Sequence, residues 1–131
     1  MVKNLLLSLA LCLITTITWA QWSSNSAINN QVSVSAVDQV GPKIIQDGLG
    51  GYIIAWLEKN TNDQNIYIQR LNANGIAQWG PSGVPVCTNP NNQTLGGLVS
   101  DGAGGAIVVW EDSTGTGGGG IYGQNDIYAQ R

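Results

Sequence analysis

Beyond residue 20, apolar positions fall into short runs separated by Gly, Asn and Asp. The run KIIQ (Lys43–Gln46) leads into a DGxGG turn, and YIIAWLE (Tyr52–Glu58) leads into a polar loop. NIYIQRL (Asn65–Leu71) then meets NANG (Asn72–Gly75), where Asn-Gly supplies the positive-φ residues of a hairpin turn. A last strand is expected in IAQW (Ile76–Trp79), with GVPVCT (Gly83–Thr88) open as its continuation. Short runs bounded by turn residues predict an all-β chain. In AIVVW (Ala106–Trp110) the apolar residues are consecutive, not alternating. That predicts a strand buried on both faces, as where sheets stack face to face. Along NIYIQRL, Ile66 and Ile68 share one face and Tyr67 takes the other.

The pattern occurs twice. DGLGGYIIAW (Asp47–Trp56) returns as DGAGGAIVVW (Asp101–Trp110), and NIYIQR (Asn65–Arg70) as DIYAQR (Asp126–Arg131). Gln21-Trp22 returns as Gln78-Trp79, and KIIQ is matched by GLVS (Gly97–Ser100). Blocks repeated in a fixed order indicate duplication, and their unequal spacing places the length variation in loops. The longest is Gly-rich, Ser113–Asn125. Four short strands in a unit of about 55 residues fit a propeller blade better than a β-helix coil, with a β-sandwich of two similar halves as the competitor.

Within each turn, Asp47 and Asp101 are expected to accept amide hydrogen bonds. Gly48, Gly50, Gly51 and their counterparts Gly102, Gly104, Gly105 take backbone shapes that a Cβ forbids. Calcium ligation is the sharper alternative, but a single Asp per turn without companion carboxylates does not build such a site. Trp56, Tyr67, Trp79, Trp110 and Tyr128 read as packing between sheets in preference to a sugar platform.

Histidine is absent, which excludes His-dependent triads and every imidazole metal site within these residues. Charged residues make up 10% of the chain and the net charge is −3, with five Lys plus Arg, so a nucleic-acid surface is not expected. The composition calls for no cofactor and no metal. The N-terminus has the form of an export signal. Lys3 precedes the apolar LLLSLALCLITTIT, and Thr18-Trp19-Ala20 makes a cleavage site, giving a signal peptide at 1–20 cut after Ala20. Residues 1–20 fall short of the about 20 clean apolar residues of a spanning helix, and bulky Leu11 makes Cys12 a poor lipid-attachment site. Cleavage leaves one cysteine, Cys87, expected as a small apolar strand residue and not a nucleophile.

The combination DGxGGxxxxW…DIYAQRLNANG resembles the repeats of secreted bacterial β-propeller-like proteins, over practically all of residues 21–131. The resemblance implies a propeller-like scaffold of tandem four-stranded antiparallel repeats, here about 21–79 and 80–131. It implies export to the medium, the cell surface or the periplasm, and it transfers no catalytic residues. Two units are far from the four to eight blades of a closed ring. The C-terminal sorting domain common in such proteins is missing as well. The expectation is therefore an incomplete ring of about two blades, the N-terminal fragment of a longer protein. Were the chain complete, several copies would have to close the ring as a homo-oligomer.

Three functions follow as expectations. The first is an exported, non-enzymatic scaffold or binding module for a glycan or protein, with contacts through loops Lys59–Gln64 and Ser113–Asn125. The second is a fragment of a propeller-type glycoside hydrolase, which needs paired carboxylates. Glu58 and Asp112 occupy equivalent positions with Glu111 alongside, and repetition at the same place argues for a structural role. The third is a component of surface adhesion or assembly.

Overall fold

The computed structural model describes residues 22–23, 25–113 and 125–131. The signal peptide expected at 1–20 and most of the Gly-rich connection lie outside these residues. The described chain is all-β, in two antiparallel sheets. Sheet 1 has the order β1 (Asp38–Gln46), β2 (Tyr52–Lys59), β3 (Gln64–Leu71) and β4 (Val84–Cys87). Sheet 2 has the order β5 (Gln93–Ser100), β6 (Ala106–Ser113) and β7 (Asn125–Gln130). The sheets are not closed into a ring.

Each repeated block builds the same piece of sheet. Gln46 pairs with Tyr52 across the first DGxGG turn, and Ser100 pairs with Ala106 across the second. Trp56 lies opposite Tyr67, and Trp110 opposite Tyr128. The first strand of each sheet carries a bulge, between Val40 and Lys43 in β1 and between Leu95 and Gly97 in β5. Both bulges include a glycine, Gly41 and Gly96, and a residue inserted there re-aims everything before it. That is why Leu95 and Leu98, an odd number of positions apart, both enter the core.

The fourth strand departs from the expectation. IAQW makes only an isolated bridge, Leu71 to Ala77, and the fourth strand of sheet 1 is Val84–Cys87. The Gln69 carboxamide explains the early end of pairing. After the Gln78 amide has bonded the Arg70 carbonyl, the Gln69 side chain accepts the Trp79 amide and donates to the Gly80 carbonyl, so a side chain takes up the backbone beyond the turn in place of a strand ladder. Pro85 within β4 donates no ladder bond, in keeping with its place at the sheet edge.

Neighbouring strands share faces, so each sheet has two surfaces. The front of sheet 1, with Ile53, Ala55, Ile66 and Ile68, packs on the back of sheet 2, with Leu95, Leu98, Ala106, Val108 and Trp110. The back of sheet 1 carries Ile54, Trp56 and Leu71, covered by Val32 and Ala77. The segment bearing Val32 is anchored there by Val34 N–H to the Pro81 carbonyl (2.9 Å) and by the Ser82 hydroxyl to the Val34 carbonyl (2.6 Å). β2 is thus buried on both faces, from Ile53 through Trp56. In β6 the same apolar run alternates buried with half-buried, contrary to the reading of AIVVW. No described element covers the front of sheet 2, where Val99 is 55% and Ile127 66% exposed.

Candidate functional site

The two DGxGG turns are nearly superimposable in chemistry. Asp47 Oδ1 accepts the amides of Leu49 (2.7 Å) and Gly51 (2.8 Å), and Asp101 Oδ1 accepts those of Ala103 (2.8 Å) and Gly105 (2.9 Å). Gly48 and Gly102 both have φ of 76°, while Gly50 and Gly104 both have φ of 88°, a region L side chains avoid. Gly51 and Gly105 are glycines for a different reason. A Cβ on Gly51 would strike the Leu71 carbonyl and Asp47 Oδ2, and one on Gly105 would lie 2.7 Å from Asp101 Oδ2.

The sequence reading missed what the second carboxylate oxygen does. Asp47 Oδ2 receives Arg70 at 2.8 Å, and Asp101 Oδ2 receives Arg131 at 2.8 Å. The signal was visible, since each arginine ends a copy of the IYxQR block. Asp47 is 1% exposed. Burial by itself pushes its pKa up, but the Leu49 amide, the Arg70 guanidinium and the Gly51 amide outweigh it and hold the pKa below 3.8. For Asp101 the Ala103 amide, then Arg131 and the Gly105 amide, bring the pKa down to about 2.

A second buried polar residue, Gln69, also escaped the sequence reading. Its carboxamide is fully buried, accepts the Trp79 amide (2.9 Å) and donates to the Gly80 carbonyl (2.6 Å). It thereby clamps the chain just before β4. Its counterpart Gln130 is exposed.

The aromatic residues form stacks along each sheet. Trp56 lies on Tyr67 with ring centroids 6.3 Å apart, and Trp110 on Tyr128 at 5.9 Å, both at 21° between planes. Trp110 belongs to the core between the sheets and Trp79 packs against it, while Trp56 and Tyr67 lie on the back of sheet 1. Trp22, counterpart of Trp79, stands edge-on to Tyr52 at 5.6 Å.

Each candidate carboxylate is tied to a neighbouring carboxamide. Glu58 is buried and accepts Gln39 Nε2 at 3.3 Å. Asp112 is buried and accepts Asn89 Nδ2 at 3.1 Å, while Glu111 is exposed and accepts Asn125 Nδ2 at 3.2 Å. Cys87 is a buried free thiol opposite Ile66. Among the described residues no cluster of three or more Cys, Asp or Glu side chains could hold a metal ion. The loop between β2 and β3 is a tight turn, with the Asn60 amide on the Asp63 carbonyl at 2.9 Å and the Asn60 carboxamide on the Asp63 carboxylate at 2.7 Å.

A pocket of about 300 Å³ opens between the sheets. Trp79, Val84 and Val108 wall it, and Asp101, Gln130 and Arg131 form its polar rim. No protein-family model matches the chain, and no curated protein or solved structure matches it.

Proposed function

We propose that this chain is an exported, non-enzymatic scaffold of repeated sheets that presents a binding surface to a glycan or a protein. The observation that carries this reading is the fate of the repeated carboxylates. Glu58 and Asp112, the equivalent carboxylates of the two units, are buried and tied to Gln39 and Asn89. A retaining or inverting glycosidase instead needs two carboxyl groups facing one bond across a site about 5–9.5 Å wide.

The sheets are read as successive blades of a propeller-like stack. In support, turn, ion pair, bulge and aromatic stack recur residue by residue, and the front of one sheet meets the back of the next. The assembly reading is favoured by one observation of its own, the apolar front of sheet 2 with Val99 and Ile127 exposed.

The test is a glycan array and a glycoside hydrolysis panel run on the same preparation, with Glu111→Gln and Asp112→Asn alongside. Binding without turnover, unchanged by Glu111→Gln, is the expected result. Turnover lost in both variants would replace the scaffold with an enzyme. Export is checked by the mass of the protein recovered outside the producing cell, expected to begin at Gln21.

A further inference from the structure

The two units carry the same cross-strand row of polar residues but close it differently. In sheet 1 the row is Gln39, Glu58 and Asn65, paired across β1, β2 and β3. In sheet 2 it is Gln93, Asp112 and Asp126, paired across β5, β6 and β7. Residues directly opposite one another share a face, so each row lines up on one side of its sheet. Gln39 Nε2 donates to Glu58 at 3.3 Å and to the Ser33 hydroxyl at 2.7 Å, which ties the first row together. Gln93 Nε2 is drawn away instead, to the carbonyls of Asn89 (3.2 Å) and Asn91 (2.7 Å) in the loop before β5. Only the NH2 end of a carboxamide can meet two carbonyls, and this fixes which way Gln93 is turned.

The consequence is a pair of stranded oxygens. Gln93 is fully buried and Asp112 is 1% exposed. Among the described residues, Gln93 Oε1 and Asp112 Oδ1 have no hydrogen-bond donor. Asp112 Oδ2 has Asn89 Nδ2 at 3.1 Å. The ion pairs among the described residues are Arg70 with Asp47 and Arg131 with Asp101, so no side-chain cation meets this row. A buried acceptor without a donor costs stability unless a water or an ion supplies what is missing. Asp126 stands where the first unit has neutral Asn65 and places a second carboxylate directly opposite Asp112. Like charges so placed repel.

We propose that this row binds a calcium ion, held by Gln93 Oε1, Asp112 Oδ1 and the Asp126 carboxylate. All three are hard oxygen donors with no nitrogen or sulfur among them, the set that calcium takes. Water at the exposed Asp126 completes the coordination. The ion turns the repulsion between Asp112 and Asp126 into a bridge across β6 and β7, and it gives Gln93 Oε1 a positive partner. Sheet 1 builds no such site, because Gln39 reaches Glu58 directly and Asn65 removes the second charge. The third donor is a carboxamide, so the site is not a cluster of acids alone. This proposal stands apart from the binding of a glycan or protein, since a chain that binds neither can still hold the ion.

The probes are calcium and terbium, titrated into the purified chain after treatment with a chelator. Terbium takes calcium's place on oxygen ligands and emits when a nearby indole is excited. Trp110 lies two residues before Asp112 on the same face of β6. The expected result is a saturable terbium emission that calcium displaces, with a calcium Kd of about 10⁻⁴–10⁻³ M, the range of extracellular modules. Asp112→Asn should weaken calcium at least about tenfold. Asp126→Asn should do the same and is the second variant should the buried one fold poorly, with circular dichroism confirming native structure in whichever is used. Glu111→Gln, on the opposite face of β6, should bind as the wild type does. Absence of saturable binding to the wild type, or equal binding to a folded Asp126→Asn variant, would overturn the proposal.

Discussion

Asp47 and Arg70 are joined at 2.8 Å, and the bond spans sheet 1 from the β1–β2 turn to the end of β3. Asp47 thereby serves two segments with its two oxygens, the turn amides through Oδ1 and the arginine through Oδ2. Removing it leaves two amides and a guanidinium without their acceptor. Asp47→Ala is expected to lower stability by about 3 kcal/mol, read as a shift of the urea midpoint. Asp101→Ala is expected to cost less, because Arg131 is 68% exposed and its pair is screened by solvent.

Acid should act through the same carboxylates. Both are more acidic folded than unfolded, so their contribution is fully present above the unfolded pKa near 3.8 and is lost as pH falls through the folded value. For Asp101 that window runs from 3.8 down to about 2. Thermal midpoints measured across it should fall in the wild type and flatten in the double variant Asp47→Asn, Asp101→Asn. An unchanged slope would remove these two groups from the acid response.

The turn glycines should separate by cause. Gly48→Ala meets no neighbour but sits at φ 76°, a strain of about 1–2 kcal/mol. Gly51→Ala places a methyl against the Leu71 carbonyl and the Asp47 carboxylate, so the backbone must move as well. Chemical denaturation should rank Gly51→Ala as the more damaging of the two.

Burial separates the stacked aromatics. Trp56 is 4% exposed and Tyr128 43%. Trp56→Ala should cost about 3–5 kcal/mol through the cavity it leaves. Tyr128→Ala should cost about 1 kcal/mol, close to the worth of the stack itself.

The front of sheet 2 yields a prediction about association. Ile127→Lys places a charge on that uncovered face. It should suppress concentration-dependent light scattering while leaving the thermal midpoint unchanged. A lowered midpoint would mean that Ile127 is already packed in the monomer.

Much of the fold was legible because it is written locally. DGxGG marks its own turn through Asp and Gly chemistry, and the runs around it have strand length. The fourth strand was misplaced because Asn-Gly at Asn74-Gly75 looks like any hairpin turn. What ends the pairing there is the Gln69 side chain on Trp79 and Gly80, and a composition pattern does not say which carboxamide reaches across to the backbone. The alternation in β6 was hidden for another reason. Its sequence resembles that of β2, and only the neighbours of each sheet distinguish them. Of the candidate site, the Asp turns were visible and their arginine partners were not, although Arg70 and Arg131 ended matching blocks.

Sheet 1 meets its neighbour through the front and sheet 2 through the back, so the two surfaces in contact are chemically different. Such a joint has polarity. It relates its members by a step in one direction, and a two-fold axis has no place in it. Material joined at one end leaves the surface at the other end unaltered, which is the property that lets a structure lengthen by copying a single unit.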